Sequence, residues 1–126
     1  MAYSAYASLE DYESYFPDDE DMTTEQLKQA SRHVDSLTFN RITAIGFDNL
    51  TGFQKEIVKE VVCRQASFEA ENAGLIDSVL SSYSINGVSM NFGNSWNVEV
   101  QDGVAMHKGL YAMLRQTGLC VRQIGG

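Results

Sequence analysis

Apolar and polar positions repeat along this chain with two periods, and the change of period divides it. From Thr23 onward, Leu27, Ala30, Val34 and Leu37 recur at spacings of 3, 4 and 3. That is the stripe of an amphipathic helix lying on a core. Thr23-x-x-Gln26 is a capping box, and Glu25 suits the positive end of the helix dipole. The pattern predicts a helix over about 23–38. A second capping box, Thr51-x-x-Gln54, opens a longer one, with Phe53, Ile57, Val58, Val61, Val62, Ala66 and Phe68 as a broad apolar face and Gly74 as its stop. Glu60 and Arg64 stand four apart with the favourable polarity. About 22 residues at roughly 1.5 Å each reach about 33 Å, more than the roughly 14 Å radius of gyration of a compact chain of this length. Such a helix crosses the whole domain and needs several partner helices or a partner chain. Ahead of both helices, Ser8 and Asp11 cap a short helix over 8–16, with Leu9, Tyr12 and Phe16 on one side and Pro17 as its end.

Past residue 86 the period falls to two. Val88, Met90 and Phe92 alternate with polar or small residues, and so do Trp96, Val98 and Val100. Gly93-Asn94-Ser95 between them has turn chemistry, which predicts a hairpin. Asn86-Gly87 is a second turn signal, so Ser82–Ile85 against Val88–Asn91 is an alternative or additional pairing. An isolated hairpin is marginal in water, so this one must lie on a helix or on another subunit. Asp102 then caps a last helix over about 103–117, with Val104, His107, Tyr111 and Leu114 on one side and Gly118 beyond its end. The expected fold is therefore mainly α: a small bundle of about four helices with a β-hairpin between the third and the last. The final residues, 118–126, are apolar for a chain end and read as a docking tail.

Composition adds one feature to this picture. The 126 residues form a single globular domain, 44% hydrophobic with a formal net charge of −8. Residues 1–25 hold eight acids and no Lys or Arg, while the remainder carries nine of each sign. The acidity thus belongs to an N-terminal segment, residues 1–22 and the start of the helix that follows. No clustered basic face offers tight nucleic-acid binding. No window approaches the roughly 18 apolar residues of a membrane span, and the first residues do not read as a signal peptide. Two cysteines, Cys63 and Cys120, fit a reducing compartment, although their pairing stays open.

The search for chemistry returns little. There is no nucleophile elbow, P-loop or zincin motif. His33, Cys63, His107 and Cys120 are separated by 30, 44 and 13 residues, without the close pairs of structural zinc sites. Cys63 among Val61, Val62 and Ala66 reads as a small buried hydrophobe. His33 and Asp35, two apart on a helix, point to different faces. Asp18-Asp19-Glu20-Asp21 lacks the glycine and bidentate glutamate of a calcium loop and reads as a solvated connector. No catalytic, metal or cofactor site is expected.

The stretch Ala30–Ile42, ASRHVDSLTFNRI, resembles the head–tail connector, or adaptor, proteins of long-tailed double-stranded DNA phages. Asp35, Thr38, Phe39, Arg41 and Ile42 match an Asp-x-x-Thr-Phe-x-Arg-Ile motif at a helix end. The tyrosines at 3, 6, 12 and 15, the Ser81–Ser89 stretch and Thr117–Arg122 are similar to further segments of that family in the same order. The resemblance implies a non-enzymatic virion protein at the head–tail interface, assembled in the host cytoplasm. It implies a ring of its own copies, typically twelve-fold in the family, beneath the portal protein, with a stopper or tail-completion protein below. DNA would pass through without sequence-specific binding, and no membrane is involved. Val88, Met90, Phe92 and Trp96 become candidates for the subunit interface, and Leu119, Val121, Arg122 and Ile124 for portal docking. The five motif residues are expected to be structural, with Arg41 able to pair with Asp35. The alternative is a small soluble helical interaction or regulatory module that binds another protein.

Overall fold

The computed structural model describes residues 5–74, 76–77, 98–101 and 104–120. It is mainly α, a small helical bundle with one short hairpin. Helix α1 spans Leu9–Tyr15, α2 Thr24–Leu37, α3 Arg41–Ile45 and α4 Gly52–Glu71. A 3-10 turn, Phe47–Asn49, joins α3 to α4. Strands β1, Val98–Gln101, and β2, Val104–His107, run antiparallel, and α5, Lys108–Arg115, follows directly.

Three of the four expected caps are present. Ser8, Thr23 and Thr51 each accept from the backbone of the residue three further on, and Asp11, Gln26 and Gln54 return the bond. Each box satisfies two otherwise orphaned N–H groups at a helix start. Helix α2 buries Leu27, Ala30, Val34 and Leu37, the stripe read from its spacing. Helix α4 is the central element. Val58, Val61, Val62, Cys63, Gln65, Ala66 and Ser67 are buried on it, too wide an arc for one neighbour. It packs against α1, α2, α5 and β2. The wide face therefore closes within the chain. Phe53 at its first turn is 55% exposed, outside that arc.

Four expectations need correction. The Ile42–Asn49 connector is structured: α3 and the 3-10 turn occupy it, with Ile42 fully buried. Helix α4 ends at Asn72, whose side-chain amide donates to the Phe68 carbonyl at 2.9 Å, so Gly74 is not the stop. In α1, Leu9 is 45% exposed; Tyr12 takes the buried position and stacks on Phe16 with ring centroids 4.9 Å apart. The last helix begins five residues later than its cap signal suggests. Val104, Ala105 and Met106 are buried in succession and form β2, which pairs Val104 with Gln101 and His107 with Val98. Three consecutive buried residues suit a strand covered on both faces, whereas a surface helix would expose one of them. His107 then caps α5, its Nδ1 accepting from Gly109 N–H at 3.1 Å. Gly118 with φ of +77° does end that segment, in the left-handed region a glycine adopts without strain. Val88–Phe92 and the Gly93-Asn94-Ser95 turn lie outside the described residues, and the described partner of β1 is β2.

Candidate functional site

The motif residues Asp35, Thr38, Phe39, Arg41 and Ile42 meet at the corner between α2 and α3. Helix α2 ends at Thr38, whose hydroxyl donates back to the Val34 carbonyl at 2.9 Å. The chain then turns sharply: Phe39 and Asn40 both have positive φ, 56° and 59°. Asn tolerates this region, but Phe in it is strained, because its Cβ crowds the following carbonyl. The corner is closed by Asn40 N–H donating to the Asp35 carbonyl at 2.8 Å and Arg41 N–H to Thr38 at 3.1 Å. Ile42 drops into the core, and Phe39 stays 37% exposed. A helix end that needs a left-handed residue usually takes glycine.

Arg41 ties this corner to the end of the described chain. Its Nη1 donates to the Leu119 carbonyl at 3.0 Å, and its guanidinium lies 5.2 Å from the Phe39 ring centroid. Arg41 thus serves the C-terminal segment and not Asp35, whose carboxylate instead accepts from the Tyr6 hydroxyl at 2.6 Å. A second tie comes from Gln54, which donates to the Thr117 carbonyl at 2.9 Å while its Oε1 completes the α4 capping box. Thr117 donates to Leu114 at 2.7 Å and accepts from Leu119 N–H at 3.1 Å. Leu119, expected to dock on a partner, is itself buried in the core cluster. Its side chain is spent on the chain's own packing, because the turn at Gly118 folds it back. Val121, Arg122 and Ile124, and the interface candidates Val88, Met90, Phe92 and Trp96, lie outside the described residues.

The N-terminal arm reaches residues on either flank of the same corner. Tyr6 N–H donates to Ser31 Oγ at 3.1 Å, and its ring stacks on Phe47 at 5.3 Å with an interplanar angle of 14°. Sequence reasoning placed Tyr6 in a tyrosine-rich opening but had no signal for its partners, which lie 25 or more residues away.

A separate polar path runs between α2, α4 and the hairpin. His33 pairs with Glu69, and Gln65, fully buried, donates to Glu69 at 2.8 Å and to the Ala105 carbonyl at 2.8 Å. This explains His33 without a ligand. Spacing could not reveal Gln65, a polar residue on an otherwise apolar arc of α4.

The thiols are chemically quiet. Burial pushes Cys63 up to about 12 and Cys120 up to about 11, so both are protonated at neutral pH and poor nucleophiles. Both are free. Among the described residues no three His, Cys, Asp or Glu side chains gather around a point that could hold a metal ion. The acidic connector Asp18–Asp21 lines a broad open groove with Tyr15, Phe16 and Glu71. Arg64 sits 5.8 Å from both the Tyr15 and Phe16 rings, the cation that fastens α1 onto α4.

The fold class these features define is a mainly α bundle with a short hairpin. No protein-family model matches the chain, and neither a curated protein nor a solved structure matches it. Among the described residues no helix is long and apolar enough to cross a membrane.

Proposed function

We propose that this protein is a head–tail connector: a structural virion protein, non-catalytic, that forms a ring under the portal and extends the DNA channel between head and tail. The observation that carries the reading is the corner at Phe39–Arg41. The residues of the connector-like motif converge there, and Arg41 fastens the C-terminal segment to them through Leu119. A motif whose arginine holds the segment at Leu119 suits a protein that presents the residues beyond it to a neighbour. The portal-docking residues are Val121, Arg122 and Ile124, which follow this segment in the sequence. Val88, Met90, Phe92 and Trp96 pack against the next subunit, since a head-to-tail ring needs two different complementary patches per copy. The stopper or tail-completion protein binds the opposite rim, and the ring is about twelve-fold. The acidic segment, on the lumen, would repel the DNA backbone within a Debye length of about 8 Å.

The test is a binding experiment with the portal protein encoded in the same genome. The full chain is expected to co-elute with portal and to add ring density beneath it in electron micrographs. A chain ending at Cys120, which keeps Leu119 in the core, is expected to fold normally and to lose portal binding. Normal binding by that truncation removes the docking role of the tail. Failure of the full chain to bind the portal overturns the connector reading.

A further inference from the structure

Two consecutive non-glycine residues with positive φ, Phe39 and Asn40, form a corner that carries backbone strain. Such a conformation persists only where its surroundings hold it. The described contacts show what does. Tyr6, on the N-terminal arm, touches both sides of the corner. On the α2 side its N–H donates to Ser31 Oγ at 3.1 Å and its hydroxyl to Asp35 Oδ1 at 2.6 Å. On the far side its hydroxyl stands 3.4 Å from Thr43 Oγ1 on α3, and its ring stacks on Phe47 in the 3-10 turn. Asp35 is the pivot. Its carboxylate receives Tyr6, and its backbone carbonyl receives the Asn40 N–H that closes the corner. One residue beyond the strained pair, Arg41 holds the Leu119 carbonyl. The arm and the C-terminal segment thus both contact residues that flank the strained corner.

We propose that Tyr6 is a latch: the N-terminal arm holds the Phe39–Asn40 corner in its strained form, and through Arg41 it couples energetically to the C-terminal segment at Leu119. Releasing the arm lets the corner relax, which moves Arg41 and loosens residues 117–120. Coupling of this kind is reciprocal, so a partner that binds the C-terminal segment with Leu119 still held by Arg41 tightens the arm on its socket, and one that draws Leu119 away loosens it. The two-state element is the corner itself, strained or relaxed, and both chain ends bias it. This device belongs to the single chain and stands whether or not the protein assembles into a ring.

Amide hydrogen exchange on the full-length protein tests it. Tyr6→Phe removes the hydroxyl and keeps the ring. It is expected to speed exchange about ten-fold or more at Asn40, Arg41 and Ala44, and at Leu119, whose N–H donates to Thr117 Oγ1. The amides of Val61 and Val62 in the middle of α4 are expected to keep their protection. Arg41→Ala, at the other end, is expected to speed exchange at the Tyr6 amide. In a Phe39→Gly background, where the strained left-handed position is relieved, the effect of Tyr6→Phe on the corner is expected to shrink. Three results overturn the proposal. The first is a Tyr6→Phe effect confined to residues 5–8 or spread uniformly through α4. The second is an Arg41→Ala variant that leaves the Tyr6 amide as protected as before. The third is a Tyr6→Phe effect undiminished by Phe39→Gly.

Discussion

Tyr12 carries the pH dependence of the N-terminal region. Burial, with a hydrogen bond to Asp19, pushes its hydroxyl from 10.0 up to about 12. The same bond holds the Asp19 carboxyl below its ordinary range. A raised folded pKa favours the protonated form, so Tyr12 contributes its full stabilisation below pH 10.0 and loses it as the pH climbs to about 12. Asp19 works in the opposite sense: its contribution is present above the unfolded carboxylate pKa and lost as the pH falls through its lowered folded value. An ultraviolet titration is expected to show Tyr12 ionising late, near 12, in step with loosening of α1, with Tyr15 also raised by its burial. Asp19→Asn is expected to bring that ionisation earlier and to flatten the acid side of the stability curve. The thiols make a companion test. At pH 8 a disulfide reagent is expected to reach Cys63 in a Cys120→Ser variant only at the rate of unfolding, because Cys63 is fully buried in α4. Rapid labelling of the native protein would contradict that burial.

Among the elements, the starts of α1, α2 and α4 were legible, and the junctions and the start of α5 were not. A Thr-x-x-Gln box involves atoms three residues apart, so Thr23 and Thr51 could be read directly. Gln54 shows the limit of that reading. Its Oε1 closes the α4 box, a local bond, while its Nε2 holds the Thr117 carbonyl, which is 63 residues away. Thr51→Ala is therefore expected to lower stability by about 1 kcal/mol. Gln54→Ala is expected to lower it further and to loosen the C-terminal turn as well, as measured by urea unfolding and by exchange at Leu119. The last helix was misplaced for a related reason. Asp102-Gly103 is both a cap signal and a hairpin dipeptide, and Val104, His107, Tyr111 and Leu114 fit a helical stripe. Ala105, buried between Val104 and Met106, reveals the strand, and nothing in the spacing weights it. Leu114 is read correctly under either boundary. It is fully buried, and Leu114→Ala is expected to cost about 2–5 kcal/mol in urea unfolding.

At the scale of the whole molecule the acids of residues 18–21 line the surface of an N-terminal segment that is otherwise packed into the fold through Ala7, Tyr12 and Met22. Asp18, Glu20 and Asp21 are exposed. Asp18→Asn, Glu20→Gln and Asp21→Asn together are expected to change unfolding free energy by no more than about 0.5 kcal/mol each. If the segment lines the channel of a connector ring, the same triple variant is expected to slow DNA ejection from assembled particles. Ejection at the normal rate would place the acids on the rim, where they serve solubility alone.

Local patterns along the chain were enough to set its class, its two strong helices, their caps and the separation of an acidic segment from a neutral body. Each of these rests on residues within one or two turns of one another, or on charge counted along the sequence. The corner of Phe39 and Asn40, the Tyr6 socket, the hold of Arg41 on Leu119 and the polar bridge of Gln65 came from packing. They pair groups 25 to 78 residues apart, and a preference that depends on a distant partner leaves no period in the sequence. The strain at Phe39 is of the same kind: its side chain gives no hint of a left-handed backbone, which α2, α3 and the arm impose together.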